Sequence, residues 1–287
     1  MATMRRWVPR LLATAIALWW LRTDPVTTVG IFGLTAMFFA AERLLGRSRR
    51  HGEADDLVHL TLTTWMVRIA GVELLVTGLR DLRPGWTVDQ LPLVPRIVLV
   101  VVVFDLAGYA HHRLMHESTL LWPIHRIHHA LPQVDVLAKA RRHPLDDVFL
   151  IVFFGAVGFL LGADATSLRV VGVVATVHGM IVHANVIVRP SRVDRFLVTP
   201  WVHHRHHGID GQHGDYAGLL TVWDRLFHTR GAGAPTRAGA DGVPVGDWVD
   251  QLLHPARAAV GRRSEGAPQE DHPAVTGDQG PVTVGIV

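Results

Sequence analysis

The chain has 287 residues, 49% of them hydrophobic and 18% charged, with a mean hydropathy of +0.25 and a net charge of +3. That composition excludes a disordered chain and a nucleic-acid-binding scaffold. The absence of cysteine excludes a disulfide framework, thiolate-held zinc or haem, and Cys-ligated iron–sulfur clusters. Any metal is left to nitrogen and oxygen donors. Of 19 histidines, fourteen lie between His111 and His213, so the excess is local. The high pI comes from arginine, with Lys139 the one lysine, and says little about partners because arginine is charged at any relevant pH.

In chain order, the N-terminus sets Arg5, Arg6 and Arg10 against an apolar run to Leu21. No small-x-small cleavage site precedes Arg22-Thr23-Asp24-Pro25, so this is expected to be an uncleaved first span. Further apolar runs cover Val26–Ala41, Leu57–Leu79, Ile97–Ala110, Val148–Gly162 and Leu168–Val188. Several are shorter than the roughly 20 residues a bilayer core requires. The third carries Arg68 and Glu73 and the fourth Asp105. The expected fold is an all-α integral membrane helical bundle of four to six spans, against a soluble helical bundle, which six such runs leave little polar surface to solvate. Arg5, Arg6, Arg10, Arg47, Arg49 and Arg50 put the N-terminus and the second turn in the cytoplasm; the arginines of 80–95, on the other side, pull against this. With an even number of spans every histidine cluster falls at the cytoplasmic face. After Arg230 the composition shifts to Gly, Ala, Pro and charge, with one amphipathic stretch at Val243–Leu253 and an expected mobile tail from 258.

The histidines follow helical spacing. His112 and His116 are four apart, one turn on one face, while His111 points elsewhere. His125, His128 and His129 stand at i, i+3 and i+4, and His203, His206 and His207 repeat that triplet. Neighbours such as His128 and His129 diverge by about 100°, enough to reach two different ions. His178 and His183 lie in the last apolar run, where ionisable groups are costly and point to function; their spacing of five needs a bend or π-bulge to share a face. Arg141-Arg142-His143-Pro144 is expected to support ligands rather than to be one. So many imidazoles exceed one ion and imply two. Imidazole suits Zn, Cu, Fe and Ni alike, so the spacing does not name the element. Asp105, Asp146, Asp147, Asp215 and Asp224 are candidates to offset the cationic site and orient ring N–H groups, or else are caps and surface charges. A membrane metal transporter is a competing reading; its histidines would line several spans at different depths rather than cluster on one side.

Asp105-x-x-x-Tyr109-x-x-His112-Arg113-x-x-His116, Leu121-Trp122-x-x-His125-x-x-His128-His129, Arg141-x-His143-Pro144, His183-x-Asn185, Pro200-x-x-His203-x-x-His206-His207 and Trp223-Asp224-Arg225-Leu226-Phe227-x-Thr229 resemble, in order, the fatty acid hydroxylase/sterol desaturase superfamily over about residues 100–230. The resemblance implies a membrane-bound oxidoreductase with two iron ions that uses O2 and an external electron donor to hydroxylate or desaturate a lipid. It implies iron ligands at His112, His116, His125, His128, His129, His183, His203, His206 and His207, with His178 a looser match. Substitution at His112, His128, His129 or His207 is expected to abolish activity. The donor would be a ferredoxin- or cytochrome-type protein, because no nicotinamide or flavin fingerprint is visible; no nucleic-acid partner is expected. The substrate class stays open among fatty acyl, sterol-like, hopanoid, carotenoid and ether lipids, with an ether-lipid- or aldehyde-processing oxygenase as the alternative within the superfamily. Two departures bear on the subfamily. Ala110 stands where an aromatic is usual, and Asp215-Tyr216-Ala217-Gly218 with His228 alters the closing motif. The expected organisation is N-terminal membrane helices over 1–95, a catalytic domain over 96–232 and a partly disordered polar segment over 233–287, in the cell inner membrane.

Overall fold

The structure, a computed structural model, describes residues 2–23, 25–45, 56–61, 87–186, 190–209, 214–240 and 248–264. Among these there are helices and turns but no strands, only two isolated antiparallel bridges, Leu197 with Leu220 and Gly208 with Ala238. The long helices are α1 (Ala2–Thr23), α2 (Pro25–Leu45), α3 (Leu93–Glu117), α5 (Pro144–Leu161), α6 (Ala165–His183) and α9 (Trp248–Ser264). The short ones are α4 (Trp122–His129), α7 (Pro200–His206) and α8 (Val222–Leu226).

Helices α3, α5 and α6 are long and apolar enough to cross a membrane. Their outward faces expose Val94, Val98, Val152, Leu160 and Val173, side chains that water does not favour but lipid accepts. The expected four to six spans include the run at 57–79, which beyond Thr61 lies outside the described residues. α6 stops at His183 instead of running to Val188, so its last histidine stands at a helix end rather than inside a span. α9 continues to Ser264, past the expected start of a tail at 258, on a stretch rich in Ala and Arg that favours helix; residues 265–287 lie outside the described residues.

Local chemistry fixes the ends. His143 caps α5 by accepting from Leu145 N at 3.1 Å, with Pro144 in the first turn, where its missing N–H costs nothing. Gly162 closes α5 at φ 59°, and an added Cβ there would collide with Thr87. Asp164 caps α6 by accepting from Thr166 N and Ser167 N at 2.9 and 3.1 Å. One apolar cluster, Val88, Val100, Phe104 and Ala163, joins α3 to the α5–α6 turn. A second, Tyr109, Val182, Val198, Val202, Tyr216 and Ala217, lies under the histidine-bearing end. There α4 packs on α3 and α5 while α7 packs on α6, so two short helices cap the ends of long ones.

Candidate metal centre

Four elements bring histidines together. The last turns of α3 carry His112 and His116, α4 carries His125, His128 and His129, the end of α6 carries His183, and α7 with its C-cap carries His203, His206 and His207. They sort into two groups whose ligand atoms lie within 4.8 Å of one another: His112, His116, His125 and His129, then His128, His183, His203 and His207. His206 joins the first, its Nε2 3.1 Å from His112 Nε2. In the second, His183 Nε2 lies 3.2 Å from His128 Nε2 and 3.0 Å from His203 Nε2, and His207 Nε2 lies 3.1 Å from His203 Nε2. Each short helix serves both groups. In α4 the i, i+4 pair His125/His129 faces the first and His128 the second; in α7 and its cap His203/His207 face the second and His206 the first.

The other ring nitrogen of many of these residues is held. His112 Nδ1 lies 2.8 Å from Tyr216 O, His128 Nδ1 3.2 Å from Arg141 O, His183 Nδ1 2.7 Å from Gly179 O and His206 Nδ1 2.7 Å from Gly214 O. His125 Nδ1 lies 2.9 Å from Asp146 Oδ2. A carbonyl or carboxylate only accepts, so each of these Nδ1 atoms carries the proton and each Nε2 presents a lone pair to its group. His125 Nε2 and His129 Nε2 are buried with no hydrogen-bond partner, a costly state unless a cation uses them. Burial holds the imidazoles of His128, His129, His203 and His207 well below their ordinary value, and neighbouring imidazoles push the same way. Burial likewise lowers His206 to about 4, although its bond to Gly214 opposes this. Neutral rings with convergent lone pairs fit two metal ions, one per group.

The carboxylates divide. Asp146, in the first turn of α5, holds His125 and also accepts from Arg142 Nη2 at 2.7 Å; Asp147 pairs with Arg142 Nε at 3.2 Å. Asp105 accepts from Leu219 N, Leu220 N and Trp223 Nε1 at 2.9, 3.0 and 2.7 Å. Asp224 accepts from Tyr216 N, Ala217 N and Thr229 Oγ1 at 2.8, 3.1 and 2.8 Å. Asp215, at φ 54°, pairs with Arg205 at 2.7 Å. Of the five candidates Asp146 touches a grouped histidine, while Asp105, Asp215 and Asp224 brace the segment that follows α7.

Other expected residues lie elsewhere. α6 is one continuous helix, and five residues at about 100° each set His178 about 140° from His183; His178 joins neither group. His111 packs among Phe149, Phe153 and Phe154. In the Arg141–Pro144 stretch, Arg141 supports His128 through its carbonyl, Arg142 supports Asp146, and His143 caps α5 while contacting Leu252 O at 3.1 Å.

Sequence reasoning reached the Arg141 stretch as a support but not the carbonyls of Tyr216, Gly179 and Gly214, which carry no side-chain signature. It also passed over Glu42 of α2, which accepts from Val136 N at 3.2 Å and from the Asn185 backbone two residues after His183. A carboxylate closing an apolar run was the available signal. His59, held between Arg142 O and Gln251 Oε1 at 2.8 Å each, likewise ties α9, within the expected C-terminal segment, to the site.

Two histidine groups that could each hold a metal ion lie at the ends of helices long and apolar enough to cross a membrane. The family model described as fatty acid hydroxylase matches residues 97–229, a little under half of the chain. The chain is 29% identical over 252 residues to an ornithine lipid hydroxylase of Rhizobium tropici, covering 82% of this chain and 75% of the relative. It is also 26% identical over 130 residues to an alkylglycerol monooxygenase of Xenopus tropicalis, covering 44% of this chain and 28% of that one; the human alkylglycerol monooxygenase is 25% identical over 127 residues, again 44% and 28%. No solved structure matches the chain. These relatives make the class an oxidoreductase.

Proposed function

We propose that the chain is an O2-dependent di-iron lipid hydroxylase of the cell inner membrane, with its metal centre at the cytoplasmic face. The observation that carries this reading is the pair of convergent histidine groups. His112, His116, His125, His129 and His206 would hold one iron, and His128, His183, His203 and His207 the other. When bound, the iron pair supplies reduction of O2 and oxidation of an unactivated C–H bond.

The chain's own part is positioning. The carbonyls of Tyr216, Arg141, Gly179 and Gly214 and the Asp146 carboxylate keep five imidazoles in one tautomer, with their lone pairs fixed before any ion arrives. Burial of His129, His206 and His207 excludes bulk water from around the centre. The spans bring the lipid body to this end of the bundle, where orientation of one C–H lowers the barrier. Electrons would come from a ferredoxin- or cytochrome-type donor. The names of the relatives support hydroxylation over desaturation, and an acyl or amino-acid-bearing membrane lipid as substrate. Ether-lipid oxidation is the second reading, favoured by the alkylglycerol monooxygenases; their match spans 44% of this chain, against 82% for the ornithine lipid enzyme.

Lipid mass spectrometry on cells making the wild type or His207→Ala tests this. The expected result is a lipid heavier by one oxygen with the wild type only. Equal product from an abundant His207→Ala protein would end the proposal.

A further inference from the structure

The outward face of α3 carries a groove that the metal centre does not use. It is an open cavity of about 420 Å³ between α3 and the turn after α8. Leu106, Ala110 and Leu114 form its floor and Phe227 its far wall; Arg113 and Glu117 stand at one end. Tyr109 is the partition on the side of the metal centre. It stacks on Phe227 at 5.1 Å and meets Tyr216, whose carbonyl holds His112, at 6.3 Å between rings.

Three features identify an occupant. The groove opens on the face of a membrane-length helix, beside exposed Leu114, Leu226 and Phe227, so hydrocarbon rather than water meets it. Its polarity is graded: Arg113 and Glu117 sit in the last turns of α3, where a span reaches the headgroup zone, and Leu106 lies about 16 Å further along the helix. Ala110 gives it room, since an aromatic at that position would project into it. The charges at the rim have both signs, with Arg113 Nε 2.8 Å from Glu117 Oε1, both partly exposed. An exposed pair of this kind is weak and opens at little cost. A headgroup of one sign would be repelled by one partner; a headgroup carrying both an ammonium and an acid group matches both.

We propose that this groove takes one membrane lipid laterally from the bilayer, with a zwitterionic headgroup between Arg113 and Glu117 and an acyl chain along Leu106 and Ala110. The proposal rests on the lipid-hydroxylase reading for its purpose, but not for its test. A phosphoethanolamine headgroup and an amino-acid headgroup share the required chemistry, so the experiment presents both.

The full-length protein, iron-loaded and in nanodiscs, is offered four lipids with identical acyl chains: phosphatidylethanolamine, an ornithine-headed lipid, anionic phosphatidylglycerol and neutral diacylglycerol. Retained lipid is counted by mass spectrometry alongside iron. Wild type should retain one or both zwitterionic lipids about tenfold over the anionic and neutral ones. Ala110→Trp should lose retention at unchanged iron content. Glu117→Arg should turn the preference towards the anionic lipid, and the exchange Arg113→Glu with Glu117→Arg should restore the zwitterionic one. Equal retention of all four lipids by wild type would overturn the proposal, as would retention that Ala110→Trp leaves intact. Retention as expected with no oxidised product, O2 and a chemical reductant being supplied, would keep the groove and remove the hydroxylase reading.

Discussion

The chemistry of the histidine groups depends on which ring nitrogen of each residue is free. Asp146 is fully buried and is shared between His125 Nδ1 and Arg142. Asp146→Asn keeps the shape but removes the charge that fixes both. Loss of such a supporting group costs about 10–100-fold in metal affinity or activity. Iron titration should show a weakened first group, and an unchanged affinity would deny Asp146 this role. The same histidines give the protein a pH dependence. His128, His129, His203 and His207 titrate well below 6.5 in the folded chain, and His206 at about 4. The unfolded chain binds protons from about pH 6.5 downward, while the folded one does not. Stability of the metal-stripped protein is therefore complete above that pH and falls between about 6.5 and 4. Thermal melts across this range should show the decline, and a flat profile would contradict neutral, buried rings.

Among the elements, much of the site was legible and some was not, for definite reasons. The i, i+3, i+4 triplets at 125–129 and 203–207 announce one-turn faces, because helical geometry is local. How each triplet divides between two groups depends on α4 and α7 facing each other across the ends of α3 and α6, which no local pattern encodes. Carbonyl partners such as Gly179 and Gly214 are invisible because every residue has a carbonyl. Asp105 is instructive in the other direction. In the sequence it is an anomalous charge in an apolar run and a candidate partner for the cationic site. In the structure its two oxygens take three N–H donors from the segment Leu219–Trp223. It pins that segment onto α3, and three residues before the segment stands Tyr216, whose carbonyl holds His112. Asp105→Ala should therefore destabilise the protein by about 3 kcal/mol or more, since hydrogen bonds to charged acceptors are the strong ones. Asn at this position should recover part of the loss. A melting temperature unmoved by the alanine would refute the bracing role.

For the whole molecule, the arrangement is a division of labour. Apolar helices α3, α5 and α6 supply a lipid-facing body, and short helices gather nitrogen donors at one end of it. Segments remote in sequence close this end: Glu42 of α2 holds the backbone beside His183, and Gln251 of α9 holds His59. Long-range ties of this kind are set by tertiary packing, so reading the chain as separate N-terminal, catalytic and C-terminal parts does not anticipate them. The proposed centre holds one metal ion in each histidine group, and the metal content of the purified protein checks this. Elemental analysis after anaerobic loading with ferrous iron should find two irons per chain in the wild type and fewer in His207→Ala, with the protein still folded. One iron per chain in the wild type, or an unchanged two in His207→Ala, would contradict the account.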